Sequence, residues 1–137
     1  MEHISETPTL KAPAERFTGD VYLNMIATPA EPARLAAALV RFTPGARTHW
    51  RSHALGQVLH VADGVGLVGT RDGDVVRVSA GDTVTCPAGE EHWHGATDTT
   101  LMAHYALVVG DDAGDGTTWL EPVTDEQYAA ALAAVAG

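Results

Sequence analysis

Three polar side chains stand at alternate positions in the segment Gly45-Ala46-Arg47-Thr48-His49-Trp50-Arg51-Ser52-His53, namely His49, Arg51 and His53. On an extended strand alternate residues share a face, so the three are expected to point the same way. A second pair at the same spacing, His92 and His94, follows Pro87-Ala88-Gly89-Glu90-Glu91. Imidazoles carried on two strands of a barrel can converge on one point, which is how a divalent transition metal obtains nitrogen ligands. Either pair alone reads as ordinary polar strand positions. The two together, each framed by glycine or proline, point to a site. The chain has seven histidines and one cysteine, so an imidazole site is open to it while a thiolate cluster and an internal disulfide are not.

The elements that must position these side chains are short. Val21-Tyr22-Leu23, Leu35 to Phe42, Val58 to Val61, Val65 to Val68, Val75 to Val78, Thr83 to Thr85 and Leu101 to Val109 are each of strand length. Pro44-Gly45, Asp63-Gly64, Asp72-Gly73, Ala80-Gly81 and Pro87-Ala88-Gly89 separate them. This even spacing predicts an antiparallel sandwich or small barrel, with Asp72-Gly73 as its clearest hairpin turn. Residues 29–38 are rich in alanine and open to a helical reading, but Leu39-Val40-Arg41-Phe42 draws their second half towards strand. Thr124-Asp125-Glu126-Gln127 has the form of a capping box and predicts one short C-terminal helix through the alanine run that ends at Gly137.

Residues 1–15 read as a polar arm and residues 16–137 as a single domain; 137 residues leave no room for a second. Hydrophobic residues at 45%, charged residues at 19% and a net charge of −10 describe a globular chain. The eight basic residues form no dense run, which argues against nucleic acid as a partner. Neither a long apolar span nor a signal-peptide pattern is visible, so the sequence reads as cytoplasmic with no membrane partner.

The spacing of Gly45, Arg51, His53, Gln57 and Gly64 resembles the first motif of the cupin family, and Gly81, Pro87, Gly89 and His92 resemble the second. Phe17-Thr18-Gly19, His92-Trp93-His94-Gly95 and Val123-Thr124-Asp125-Glu126-Gln127-Tyr128 are similar to small bacterial single-domain cupins, a subgroup that includes manganese-dependent hydroxynitrile lyases and quercetin-dioxygenase-like proteins. The resemblance implies an all-β jelly-roll barrel, an interior metal site and a homodimer. It places His53, Gln57 and His92 at metal-ligand positions and His104 at a pocket position suited to general-base work, since a neutral imidazole can take a hydroxyl proton near pH 7. A hydrogen-bonded core histidine is the competing reading of His104. The implied cofactor is a divalent transition metal, manganese first, with iron, nickel and zinc as alternatives.

One position departs from the pattern. Arg51 stands where the family has its first ligating histidine, and a guanidinium has no lone pair to donate. Three readings remain open. In the first, His49 is drawn in as the replacement ligand, although positions four apart on a strand lie about 13 Å apart and the strand would have to bend. Alternatively three neutral ligands hold the metal against Arg51, which at about 5 Å opposes it by roughly 3 kcal/mol per unit of metal charge. In the third, Arg51 itself is the fixed cation and polarises a carbonyl or holds a carboxylate. The expected function is an enzyme acting on a small hydroxy or carbonyl compound by a hydroxynitrile-lyase-like C–C cleavage or a related lyase or isomerase step, with His104, His49 and Arg51 as candidate catalytic groups. A metal-free module that binds a small anion through Arg51, and a cupin dioxygenase, are the alternatives. The expected pocket is the barrel interior, lined by Val40, Leu59, Met102 and Ala106. His94, Trp50 and Trp93 are expected to support packing, His60 to face outwards and Cys86 to be buried and inert.

Overall fold

The structure, a computed structural model, describes residues 1–112 and 114–136. Among these, twelve strands precede one helix: β1 Leu10–Lys11, β2 Phe17–Thr18, β3 Val21–Ala27, β4 Leu35–Phe42, β5 Arg47–Thr48, β6 Arg51–His53, β7 Gln57–Thr70, β8 Val75–Ser79, β9 Thr83–Cys86, β10 His92–Ala96, β11 Met102–Val109, β12 Thr117–Trp119 and α1 Asp125–Val135. All pairings are antiparallel, and the sheet curls into a barrel through β7. The first half of β7 pairs with β11 and β9, and its second half with β10 and β8. β4 lies between β3 and β11, while β6 lies between β10 and β12.

The Asp72-Gly73 hairpin forms as expected, with the Thr70 amide donating to the Asp74 carbonyl and Gly73 in the left-handed region at φ 90°. The Asp63-Gly64 pair does not make a turn. β7 runs through it as a single strand of 14 residues, and the extra residue is absorbed as a bulge opposite Ala103 and His104 of β11. Gly64 sits there at φ 75°, and a Cβ on it would lie 1.9 Å from the Leu101 carbonyl oxygen. Glycine is therefore required twice over, for its backbone and for the missing methyl group. The variant Gly64→Ala is expected to lose about 2–4 kcal/mol, read from the urea midpoint.

Inside the barrel, Phe17, Val21, Val40, Phe42, Leu59, Val61, Val68 and Met102 pack into one apolar cluster. β10 is buried on both faces. His92 and His94 point inwards, while Trp93 joins Trp50, Leu67, Val123 and Tyr128 under α1. The helix begins as the sequence indicates: Thr124 Oγ1 accepts from the Gln127 amide and Gln127 Oε1 accepts from the Thr124 amide. It ends at Val135, and Gly137 lies outside the described residues. Tyr128 Oη donates to the Ala96 carbonyl at 2.6 Å and anchors α1 to β10. Among the described residues no helix is long and apolar enough to cross a membrane.

Candidate active site

The strand assumed to carry His49, Arg51 and His53 is interrupted. β5 ends at Thr48 and β6 begins at Arg51, because the His49 amide donates to the Arg16 carbonyl and the Trp50 amide to the Glu121 carbonyl. Alternation survives only within β6, where Arg51 and His53 are buried and Ser52 is half-buried. His49 is buried beside the Glu15 backbone and Arg47, and burial, with Arg47's charge, lowers its pKa. It does not border the cavity that Arg51 and His53 line.

Arg51 lies opposite His92 in the β6–β10 pairing. Its guanidinium is sealed in the barrel, with the residue only 6% exposed. Nη2 donates to Gln57 Oε1 at 3.1 Å, and the group lies over the Trp119 ring at 4.9 Å. Nε has no hydrogen-bond partner. Burial lowers the Arg51 pKa to about 10, which leaves it cationic at neutral pH. The other buried guanidinium, Arg47, is held by Asp125 at 2.7 Å, by the Val123 carbonyl and by the Tyr128 ring. Among the described residues Arg51 has no such carboxylate.

The imidazoles form a chain behind it. His53 and His92 have ring centres 5.4 Å apart, His92 and His94 stack at 5.7 Å, and His94 meets His104 at 4.7 Å. His53 Nδ1 is 3.0 Å from Thr117 Oγ1, and its Nε2 has no partner. His104 Nε2 and His94 Nδ1 share a hydrogen bond of 2.9 Å, leaving His94 Nε2 and His104 Nδ1 unpartnered. Burial first, and then the charge of Arg51, push His53 and His104 down to about 3; burial pushes His92 down to about 4, and Arg51 adds to that while the Glu90 backbone opposes it. His94 is pushed well below the usual imidazole range by the same burial and charge.

His92 carries one proton between two acceptors. Nδ1 is 3.0 Å from the Glu90 carbonyl oxygen and Nε2 is 3.1 Å from Gln57 Oε1, so either tautomer leaves one lone pair facing an acceptor.

The cavity has a volume of about 240 Å³. Arg51, His53 and Gln57 form its polar end, and Leu23, Met25, Val40, Ala106 and Val108 form its apolar walls. Of the expected lining, Val40 and Ala106 are present, whereas Leu59 and Met102 lie in the core at 1% and 0% exposure. His104 lies behind the wall, its ring 5.2 Å from that of Phe42. Sequence reasoning missed Arg16, Thr117 and Trp119. Both Arg16 and Arg51 approach the Trp119 ring, and Thr117 orients His53. His60 is exposed and bonded to Thr83, and the buried Cys86 thiol is pushed up to about 11, which keeps it protonated.

A jelly-roll barrel with His53, Gln57 and His92 at its centre is the architecture of a cupin, and the chain belongs to that family: its residues 38–110 match the cupin domain. It is 46% identical over 118 residues to an (R)-mandelonitrile lyase of Granulicella tundricola, covering 86% of this chain and 89% of that protein. A cupin-like protein of Thermotoga maritima superposes with a TM-score of 0.86 at 34% identity, covering 95% of this chain and 97% of that one. A cupin 2 conserved barrel domain protein of Rhodopseudomonas palustris shares the fold at 16% identity and a TM-score of 0.68, covering 90% and 81%.

Cupins commonly bind a divalent metal, and the donor set here does not fit one. Beside Arg51 stand the imidazoles of His53 and His92 and the Gln57 amide, all neutral, and the amide oxygen already accepts from the guanidinium; His94 and His104 lie further along the chain of rings and bond to each other. Among the described residues no group of three or more His, Cys, Asp or Glu side chains is arranged to hold a metal ion.

Proposed function

We propose that this chain is a lyase-type cupin enzyme acting on a compact hydroxy or carbonyl compound, in which the Arg51 guanidinium supplies the positive charge at the reacting oxygen. One observation carries the reading: a buried cation with no carboxylate partner borders a small apolar cavity beside a neutral imidazole. Such a charge is costly to bury and is compensated when an oxygen bearing negative charge arrives beside it. The likeness to a mandelonitrile lyase supports the reaction class.

Chemically, Arg51 is held by Gln57 and Trp119, so its donors are placed before the reaction begins, and their hydrogen bonds strengthen as charge develops on the substrate oxygen. With Nδ1–H donated to Thr117, His53 presents Nε2 as the lone pair. It takes the substrate hydroxyl proton, the O–H pair becomes the second bond of the carbonyl, and the C–C bond breaks with its electrons on the departing carbon. For a cyanohydrin that leaving group is cyanide, which takes the proton back from the imidazolium. The low pKa of His53 makes it a weak base in the empty cavity, and this favours a second reading in which a small anion is bound and not turned over.

The test is turnover of a panel of cyanohydrins, beginning with mandelonitrile, and of hydroxy and oxo compounds, before and after dialysis against a chelator. Turnover is expected to survive chelation and to fall roughly 10²–10³-fold in Arg51→Met. Activity lost on chelation and restored by a divalent metal would overturn the proposal. Tight binding with no turnover would select the second reading.

A further inference from the structure

We infer that the ligand of this cavity carries a carboxylate, held by the Arg51 guanidinium, on a short aliphatic or single-ring apolar body. This rests on the reading of the cavity as a substrate site and names the substrate class. Two guanidiniums in the same molecule provide the comparison. Arg47 and Arg51 are buried to the same degree, at 5% and 6% exposure. Arg47 is matched by a carboxylate oxygen of Asp125 and by a backbone carbonyl. Among the described residues Arg51 has one neutral amide oxygen on Nη2, nothing on Nε and no hydrogen bond on Nη1. What Arg51 lacks is what Arg47 has, a carboxylate oxygen on one nitrogen and an acceptor on Nε, and a planar carboxylate could supply both at once.

The rest of the cavity selects the body of that anion. Beyond the polar end the walls are Leu23, Met25, Val40, Ala106 and Val108, which offer no hydrogen bonds to a second polar group. About 240 Å³ is below the roughly 300 Å³ at which pockets for drug-sized ligands begin, so the body is compact. Arg16, its guanidinium 5.1 Å from the Trp119 ring centre, lines the same cavity and adds a second positive charge. Among the described residues Asp115 is the one acid in the lining; its charge acts on Arg51 and His53 without a hydrogen bond to either, its Oδ1 accepts from the Thr117 amide, and the two guanidiniums outnumber it. A hydroxyl next to the carboxylate would be the donor that His53 Nε2 lacks. A 2-hydroxycarboxylate therefore meets the unpartnered Arg51 Nε and His53 Nε2 at the polar end.

The experiment is a calorimetric titration of the chain with mandelate, benzoate and lactate against the uncharged mandelamide, benzamide and benzyl alcohol, with chloride and sulfate as inorganic controls. Carboxylates are expected to bind at least tenfold more tightly than their amides, with mandelate tighter than benzoate. Arg51→Met should abolish the preference, and Arg51→Lys, which keeps the charge without the fork, should retain only part of it. Circular dichroism and the Tm of each variant establish that it is folded. Equal affinity for acids and amides, or affinity for chloride and sulfate equal to that for carboxylates, overturns the inference. Because binding is read without turnover, carboxylate binding by an inactive chain would sink the enzyme reading alone. Turnover of uncharged substrates with no carboxylate preference would sink this inference alone.

Discussion

Arg51→His is expected to purify with close to one equivalent of a divalent transition metal, while the native chain prepared in parallel carries less than a tenth. Position 51 alternates with His53 on β6 and faces His92 across the β6–β10 pairing, so an imidazole there enters the same interior. The substitution does three things at once. It adds a neutral nitrogen donor, it frees Gln57 Oε1 from the guanidinium, and it removes the charge that opposes a cation. His53 Nε2 already lacks a partner and would gain one. Three imidazoles and one amide oxygen form a set suited to manganese, iron, nickel or zinc. Elemental analysis after dialysis reads the occupancy. Added metal should also raise the Tm of the variant and leave that of the native chain unchanged, since a ligand at about 1,000 times its Kd stabilises the folded state by about 4 kcal/mol. A native protein that copurifies with stoichiometric metal would refute the assignment of Arg51 as the resident cation.

The elements that sequence patterning captured are those governed by local chemistry. Leu35–Phe42 is a strand because its second half outweighs the alanines before it, Asp72-Gly73 turns because only a left-handed position fits there, and Thr124 caps α1 through its own hydroxyl. The inward placement of His92 and His94 against Trp93 follows from alternation alone. Alternation failed where backbone partners changed. His49 and Trp50 hand their amides to Arg16 and Glu121, so the face shared by Arg51 and His53 is not continued to His49. Asp63-Gly64 reads as a turn because its residue types are those of turns, yet β11 pairs across it and makes a bulge. The roles of Thr117, Trp119 and Arg16 left no local signal, because each depends on a contact between distant segments. The Arg51 substitution was legible at once, but its meaning was not: only burial without a carboxylate partner distinguishes it from Arg47.

The fold is expected to fail steeply in mild acid, with most of its stability gone between pH 6.5 and about 5. His53, His92, His94 and His104 are held neutral in the folded chain, with His53 and His104 at about 3, His92 at about 4 and His94 well below its ordinary value, and all four return to about 6.5 on unfolding. Below 6.5 the unfolded state therefore binds more protons than the native state, and stability falls as the pH falls. Each group held neutral costs on the order of 1 kcal/mol per pH unit below its unfolded value, and the four together several kcal/mol by pH 5. That is comparable to the whole stability of an ordinary domain, 5–15 kcal/mol. Urea midpoints measured from pH 7.5 to 5 read the effect, and a midpoint that stays level over that range would refute it. The causes can be separated. Burial is the larger one in every case and is unchanged by altering Arg51, but the guanidinium lowers all four imidazoles as well. Arg51→Met should therefore leave the onset near pH 6.5, which the unfolded chain sets, and end the acid limb at a higher pH, so that the total loss is smaller but not removed; a carboxylate bound at Arg51 should do the same in the native chain by neutralising the same charge.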